Sequence, residues 1–408
     1  MLDPRQRPRS QDILPEGLNV PSVSPRLEDD EGTTQKISKA LEAIREEYLA
    51  SHSHPWIVGY SGGKDSTLLL QFVVEVLLAL PRSCRLRPVH VVSNDTLVES
   101  PLVADYVDRM LDRLRSAAES LELPVRIAKT TPASDQTFWV NLIGRGYPAP
   151  NSMFRWCTDR MKIQPTSSYI RSRVAELGDV ILLLGVRRTE SARRAASANK
   201  YDQMEKNGRL NPHNDLPGCW VFRPILEFTT DEVWQILLQR RPPWGGSHRD
   251  LVTLYRNASG GECPLVIDKE QAPSCGSSSP RFGCWTCTVV EKDRSMEGLV
   301  DAGYEDMEPL LEFRGWLAEF RNQHENRMME RRNGQVTFMA SGAPVPGPFT
   351  FAARRILLER LLALQEQVNR RLISLEEIEH IKRIWAEDAI TDAGRRAVHL
   401  AIVQDNEK

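Results

Sequence analysis

Residues Trp56-Ile-Val-Gly-Tyr-Ser-Gly-Gly-Lys-Asp-Ser-Thr-Leu-Leu-Leu-Gln-Phe-Val-Val74 carry the strongest chemical signal in the chain. They read as a short buried strand, a turn with two glycines, and a helix expected to start at Ser66 or Thr67. Gly62 and Gly63 remove the Cβ atoms that would hold a ligand away from the turn's amides. A helix start directs unsatisfied N–H groups and the positive end of the macrodipole into the same space, so its natural guest is a phosphate. Lys64 and the hydroxyls of Ser61, Ser66 and Thr67 add donors. The turn is not a Walker A loop, in which Ser or Thr follows the lysine directly, because Asp65 stands between Lys64 and Ser66.

The cysteines form a second constellation. Cys284-Trp-Thr-Cys287 is a CxxC, with Cys275 nine residues before it and Cys263 twelve before that. Thiolates spaced two apart in a turn grip one metal centre, and a closed site needs four ligands. Either Cys263 or Cys157 must therefore complete the set. Zinc and iron–sulfur both accept four thiolates, and a lone CxxC also fits a redox dithiol. Cys157 lies in Phe154-Arg-Trp-Cys-Thr-Asp-Arg-Met-Lys-Ile-Gln-Pro165, at a predicted helix start beside Arg155, Arg160 and Lys162. Those cations are expected to favour thiolate over thiol. Cys84 and Cys219 are isolated and read as ordinary cysteines.

The elements that must position these groups follow from periodicity. Thr33 or Thr34 can cap a helix through Ile37, Leu41, Ile44 and Tyr48 or Leu49. Apolar runs at 56–59, Val89–Val92, Val125–Ala128, 179–186 and 222–226 read as buried strands, separated by helices such as 101–121. Strands alternating with helices predict an α/β fold with a doubly wound, mostly parallel sheet, whose ligands sit beyond the strands' carboxyl ends. Thr229 or Thr230 caps a further helix with acids in its first turn. Four units are expected: a loose arm at 1–32, a nucleotide-binding domain at 33–255, a loop-like Cys-rich segment at 256–297 and a helical C-terminal region at 298–408. In the last, Leu357, Leu361, Leu364, Val368 and Leu372 keep helical spacing, Ser374-Leu-Glu-Glu377 fits a capping box, and 341–348 reads as a Pro/Gly hinge.

With 408 residues, 41% hydrophobic, 26% charged and a net charge of −2, the chain has no global basic field that announces nucleic acid. No apolar run approaches the roughly 20 residues of a membrane span. The N-terminus lacks a signal-peptide core, so a cytoplasmic location is expected, where cysteines serve as free thiols or metal ligands. Two basic regions have two readings each. Residues 187–218 are either a solvated loop or a lid over a phosphate-bearing substrate. Arg314, Arg321, Arg327, Arg331, Arg332, Arg354 and Arg355 are either a solvated face, the commoner case, or a surface for DNA or RNA.

Ser61-Gly-Gly-Lys-Asp-Ser66 on a strand-to-helix turn resembles the pyrophosphate loop of the ATP pyrophosphatases, which split ATP into AMP and pyrophosphate. The Cys157…Lys162…Pro165 segment resembles the phosphoadenylyl-sulfate reductase superfamily, as do Val92-Ser-Asn-Asp-Thr-Leu-Val-Glu99, Gly185-Val-Arg-Arg-Thr-Glu-Ser-Ala-Arg-Arg194 and Phe222–Trp234. Within it, Arg155-Trp-Cys-Thr158, Gly261-Glu-Cys-Pro-Leu-Val266 and Arg281-Phe-Gly-Cys-Trp-Thr-Cys-Thr-Val-Val290 are similar to the sulfurtransferases of DNA phosphorothioation systems. The resemblance implies an adenine nucleotide α-hydrolase-like fold and a [4Fe–4S] cluster on Cys157, Cys275, Cys284 and Cys287. Cys263 would be left as a free, sulfur-carrying thiol. It implies nucleotide contacts from Ser61 through Thr67, Ser93, Asn94, Asp95, Gly185, Arg187, Glu190 and Arg194. Mg²⁺ would be expected on Asp65, a hard oxygen ligand, with Lys64 and Arg187 stabilising the charge of attack at the α-phosphate. The implied partners are a cysteine desulfurase as sulfur donor, other phosphorothioation proteins, and DNA as substrate, in a DNA-modification or restriction–modification setting.

Three alternatives compete. A phosphoadenylyl-sulfate reductase needs a mobile cysteine near its C-terminus, and none follows Cys287. A tRNA thiolation enzyme shares the loop and the cysteines. A scaffold that binds nucleotide without turnover is the non-enzymatic reading.

Overall fold

A computed structural model of the chain describes residues 31–190, 209–258, 282–332, 334–338, 342 and 344–406, with side chains described except at 190 and from 391 onward. Residues 1–30 of the expected arm, most of the basic loop, Cys263 and Cys275 lie outside these residues, while Glu31 and Gly32 already belong to a helix, which therefore starts before the expected Thr33 or Thr34 cap.

The nucleotide-binding half begins with α1 (Glu31–Tyr48), β1 (Trp56–Gly59) and α2 (Lys64–Ala79). Then come β2 (Val89–Asn94), α3 (Pro101–Ser120) and β3 (Val125–Thr130). A helical turn, α4 (Trp156–Thr158), passes through a π-helical stretch, Asp159–Ile163, into α5 (Gln164–Leu177). β4 (Val180–Leu183), β5 (Asn211–Pro212), β6 (Cys219–Phe222) and α6 (Thr230–Gln239) follow, and α7 (Arg249–Ala258) after them.

The six strands stand in the order β3-β2-β1-β4-β6-β5, with every neighbour parallel except β5 and β6. β1 is buried and paired on both sides, which explains its unbroken apolar run. The chain grows outward from β1 through β2 and β3, then returns to lay β4 on β1's other side. This reversal is the switch point where open α/β sheets bind ligands. Helices cover both faces. α1, α2, α3, α6 and α7 share one core with β1, and Ile170 of α5 joins Ile57, Val180 and Leu182 on the other face.

Several boundaries differ from expectation. α2 begins at Lys64, with Gly63 as N-cap, two residues before Ser66. β2 and β3 run on to Asn94 and Thr130, because polar residues continue the parallel ladder there. The strand expected at 222–226 lies at Cys219–Phe222 instead. Pro224 lacks the N–H that a continuing ladder needs, and the chain turns there. The run at 179–186 is a strand only over Val180–Leu183. The loop-like reading also missed that α7 reaches Ala258.

The helical C-terminal region contains α8 (Arg294–Asp301), α9 (Glu308–Phe320), α10 (Phe351–Gln367) and α11 (Leu375–Asn406). Both capping boxes form: Thr229 with Glu232, and Ser374 with Glu377. These helices do not form a core by themselves. Leu310, Phe313, Leu317, Leu357, Leu361 and Ile381 pack with Phe138, Trp139, Trp156, Met161 and Trp285. The second core is thus shared between the C-terminal helices and the segment that carries Cys157. The described part of the 341–348 stretch is tied down: Val345 donates to Thr337 O at 2.7 Å and Gly347 to Met328 O at 2.6 Å.

Candidate active site and cysteine cluster

The glycine turn leaves β1 at the switch point. Gly62 has φ +74°, and a Cβ there would lie 2.4 Å from Val107 Cγ2. Gly185, just beyond β4, crosses against the start of α2, where a Cβ would come within 2.8 Å of Asp65 O and 3.0 Å of Ser66 N. Both positions require glycine for a spatial reason. Ser66 Oγ lies 3.0 Å from Gly63 O and 3.2 Å from Ser61 Oγ, so these hydroxyls brace the turn. Thr67 is buried.

Arg187 reaches the turn from behind. Its side chain is 1% exposed, and Nε donates to Asp65 Oδ1 at 2.6 Å. Lys64 Nζ lies 3.2 Å from Asp65 Oδ2. Asp65 therefore engages two cations, one on each carboxylate oxygen. Mg²⁺ bridging phosphates and Asp65, as expected from the sequence, would share the carboxylate with these two cations, each oxygen keeping a second lone pair. A buried guanidinium needs such a partner, and Asp65 provides it.

The β2 end is also internally engaged. Asn94 Nδ2 donates to Met161 O at 2.8 Å and its Oδ1 accepts from Thr130 Oγ1 at 3.0 Å. Asp95 pairs with Lys129 at 2.9 Å, and Ser93 is buried. Of the basic stretch, Arg187 pairs with Asp65, Arg188 with Glu227 at 2.8 Å and Arg209 with Glu46, so none of these three arginines is a bare solvated charge. Glu190 is described by its backbone only, and Arg194 lies outside the described residues.

Beyond Asp95 the same sheet edge meets the cysteines. Glu99 forms an antiparallel bridge with Cys284, Trp285 N donates to Val98 O at 3.0 Å, and Thr96 Oγ1 lies 3.3 Å from Cys284 Sγ. Thr96 Oγ1 also donates to Glu99 at 2.9 Å, and Lys162 Nζ lies 3.9 Å from the same carboxylate. Cys157, Cys284 and Cys287 come close enough for their charges to influence one another and Lys162. The structure thus brings Cys157 to the CxxC across a long stretch of chain.

Burial dominates the protonation of Cys284 and Cys157. It pushes the Cys284 thiol up to about 12, with Glu99 adding to the rise and Lys162 opposing it. Burial also raises Cys157, and the nearby Cys287 adds to it. The expectation that neighbouring cations make Cys157 a thiolate is corrected, since desolvation outweighs Lys162. Arg160 turns instead to Gln136 and the Tyr147 hydroxyl. Lys162 is raised chiefly by Cys284. Among the described residues no group of three or more His, Cys, Asp or Glu side chains is arranged to hold a metal ion. The donor chemistry, thiols of Cys157, Cys284 and Cys287 in one neighbourhood, is of the type a thiolate-ligated cluster uses. Cys275 and the alternative Cys263 lie outside the described residues. Cys84 is exposed and Cys219 buried.

The arginines of the C-terminal region face inward far more than expected. Arg314, 4% exposed, donates to Cys287 O at 2.9 Å, Glu291 O at 2.7 Å and Val290 O. Arg321 Nη1 reaches Pro150 O at 2.7 Å and Thr288 O at 3.3 Å, joining the two cysteine-bearing loops. Arg327 binds Gly347 O at 2.7 Å, while Arg354 and Arg332 pair with Asp388 at 2.8 and 3.0 Å. A guanidinium satisfies several carbonyls at once, which suits loop backbone that has no ladder.

Sequence reasoning missed Tyr255, whose hydroxyl lies 3.4 Å from Lys64 N. Its signal was the helical spacing of Leu251, Leu254, Tyr255 and Ala258, all buried on one face of α7.

Residues 55–290, more than half of the chain, match the family model of the phosphoadenosine phosphosulfate reductase domain. The chain belongs to this family of nucleotide-using enzymes of sulfur chemistry. No curated protein matches it. Similar solved structures include the phosphoadenylyl-sulfate reductase of Candida auris in a phosphate complex, at 14% identity over 52% of this chain and 86% of that one, TM-score 0.31. FMN adenylyltransferase of Candida glabrata with FAD and inorganic pyrophosphate matches at 13% identity over 59% and 68%, TM-score 0.34. The U34-tRNA thiolase NcsA of Methanococcus maripaludis with its [4Fe-4S] cluster matches at 14% identity over 70% and 80%, TM-score 0.29. Among the described residues no helix is long and apolar enough to cross a membrane.

Proposed function

We propose that this protein is an ATP pyrophosphatase and sulfurtransferase that installs sulfur in the DNA backbone. ATP activates a backbone phosphate by adenylation with release of pyrophosphate. A persulfide derived from a cysteine desulfurase attacks the phosphorus as AMP leaves with the oxygen, and a thiol reductant then cleaves the S–S bond, forming a disulfide and leaving sulfur in the non-bridging position. One observation carries the reading: the phosphate-type turn at Ser61–Thr67 and the Cys157–Cys284–Cys287 group lie along the same carboxyl edge of the sheet, joined through the β2 end by the Glu99–Cys284 bridge.

In this reading the first amides of α2 receive the β- and γ-phosphates of MgATP. Mg²⁺ enters with the nucleotide as part of the substrate. Asp65 orients Lys64 toward those phosphates and keeps Arg187 rigid below the turn. A donor held in place before the reaction stabilises developing phosphate charge without reorganisation. Cys275, Cys284 and Cys287, with Cys157 as fourth ligand or Cys263 in its stead, would hold the [4Fe–4S] cluster. When bound, that group supplies a soft, sulfur-binding metal centre. Arg314 and Arg321 hold the two loops that bear these thiols in register. Cys263, if it is not a ligand, carries the incoming sulfur.

The test is anaerobic incubation of the full chain with MgATP, cysteine desulfurase, cysteine and either DNA or tRNA. Pyrophosphate release and nuclease-resistant phosphorothioate dinucleotides, read by mass spectrometry in the DNA arm alone, are expected. Thionucleosides from the tRNA arm alone would overturn the DNA assignment. Absence of pyrophosphate release from every substrate would favour a binding scaffold.

A further inference from the structure

Tyr255 connects the two halves of the site. Its hydroxyl accepts from Lys64 N–H at 3.4 Å, and a Cβ built on Gly63 would lie 3.3 Å from the same oxygen. The phenol therefore rests on both residues at which α2 begins, against amides that a phosphate would also use. At 3.4 Å the bond is longer than an ordinary N–H···O contact, so it exchanges readily for a shorter, charge-assisted one. Burial pushes the phenol up to about 12. It stays neutral at physiological pH and places no negative charge against an incoming phosphate.

The ring is held on two other sides. It packs edge-on against Trp234 of α6, centroids 4.9 Å apart, and against Phe282 at 4.7 Å and 84°. Phe282 stands two residues before Cys284, whose loop is bridged to Glu99 and held by Arg314. Lys64, Tyr255 and Phe282 touch in turn, and the backbone carries the path two residues further to Cys284.

We propose that Tyr255 is a positioning residue through which occupancy of the phosphate turn is transmitted to the Cys284–Cys287 loop. A phosphate oxygen seated on Lys64 N–H takes the place of the Tyr255 hydroxyl, and the ring carries the displacement to Phe282. Pyrophosphate departure restores the contact, so the cysteine loop responds to the stage of the ATP reaction. This inference rests on the phosphate-binding reading of the turn given above.

Hydrogen exchange on the full chain, with and without magnesium pyrophosphate, tests both separately. In the wild type, peptides covering 61–67 and 282–288 are both expected to change exchange rate, by about two- to tenfold for one hydrogen bond exchanged. In Tyr255→Phe the 61–67 response persists and the 282–288 response is lost. Phe282→Leu, which keeps the hydroxyl, likewise retains the first and loses the second. A wild-type response at 61–67 with none at 282–288 would overturn the inference and leave the phosphate reading intact. So would a 282–288 response that survives Tyr255→Phe. No response at either peptide would overturn both.

Discussion

Arg187 Nε donates to Asp65 Oδ1 at 2.6 Å, linking the residue beyond β4 to the second residue of α2 across the switch point. Removing the carboxylate strands a guanidinium that is 1% exposed. Asp65→Ala should therefore destabilise the protein by about 3 kcal/mol, read from chemical denaturation, and abolish pyrophosphate release. Asp65→Ala combined with Arg187→Met should recover most of the stability and none of the activity. Recovery of turnover in the double variant would show that the pair is only structural.

Glycine replacements separate close approach from simple conformational freedom. Gly185→Ala forces a methyl against Asp65 O and Ser66 N, both backbone atoms that cannot swing aside. It should disable ATP turnover and lower stability. Gly315→Ala, inside α9 with nothing within 4 Å of the new methyl, should stabilise by about 0.5–1 kcal/mol. Thermal denaturation of both variants checks the contrast.

Arg314 bears on the cysteine loop. Arg314→Ala leaves the Cys287, Val290 and Glu291 carbonyls without this donor. A loss of about 3 kcal/mol is expected for several charge-assisted bonds at a buried site, together with reduced iron retention after anaerobic purification. Arg355→Ala removes only an exposed pair to Glu359 at 3.5 Å and should stay within about 0.5 kcal/mol of wild type.

His248 predicts a pH dependence. It is buried against Gln71 Oε1 at 2.6 Å, and burial lowers it from 6.5 to about 4. The unfolded chain binds this proton first, so its contribution is fully present above pH 6.5. It declines as pH falls from 6.5 to about 4 and changes no further below that, amounting to about 3 kcal/mol at most. Denaturation midpoints of His248→Gln against wild type should diverge in slope across this window. Parallel slopes would show that His248 is not the responsible group.

Local signals served the sequence well where chemistry is encoded in adjacent residues. The glycine turn, the two capping boxes, the apolar runs of β1 and β2 and the CxxC all act within a few positions, and the alternation of strands and helices predicts a doubly wound sheet. The strand expected at 222–226 failed because an apolar run says nothing of which amides can join a ladder, and Pro224 cannot. The arginines of the C-terminal region read as solvated or nucleic-acid-facing because a charge pattern does not show which carbonyls lie opposite; Arg314 and Arg321 found loop backbone.

What the sequence alone determined is the pair of chemistries: a phosphate turn at Ser61–Thr67 and a set of thiols ending in Cys284-Trp-Thr-Cys287. Only the tertiary structure decided how they relate. The sheet order puts β2 beside β1, so the Thr96–Glu99 end of one lies next to the turn that follows the other. Burial then opposed the expected thiolate character of Cys157, and Arg187, 122 residues on, became the partner of the Asp65 carboxylate. Protonation and pairing depend on what surrounds a group in space, and those neighbours come from parts of the chain far away in sequence.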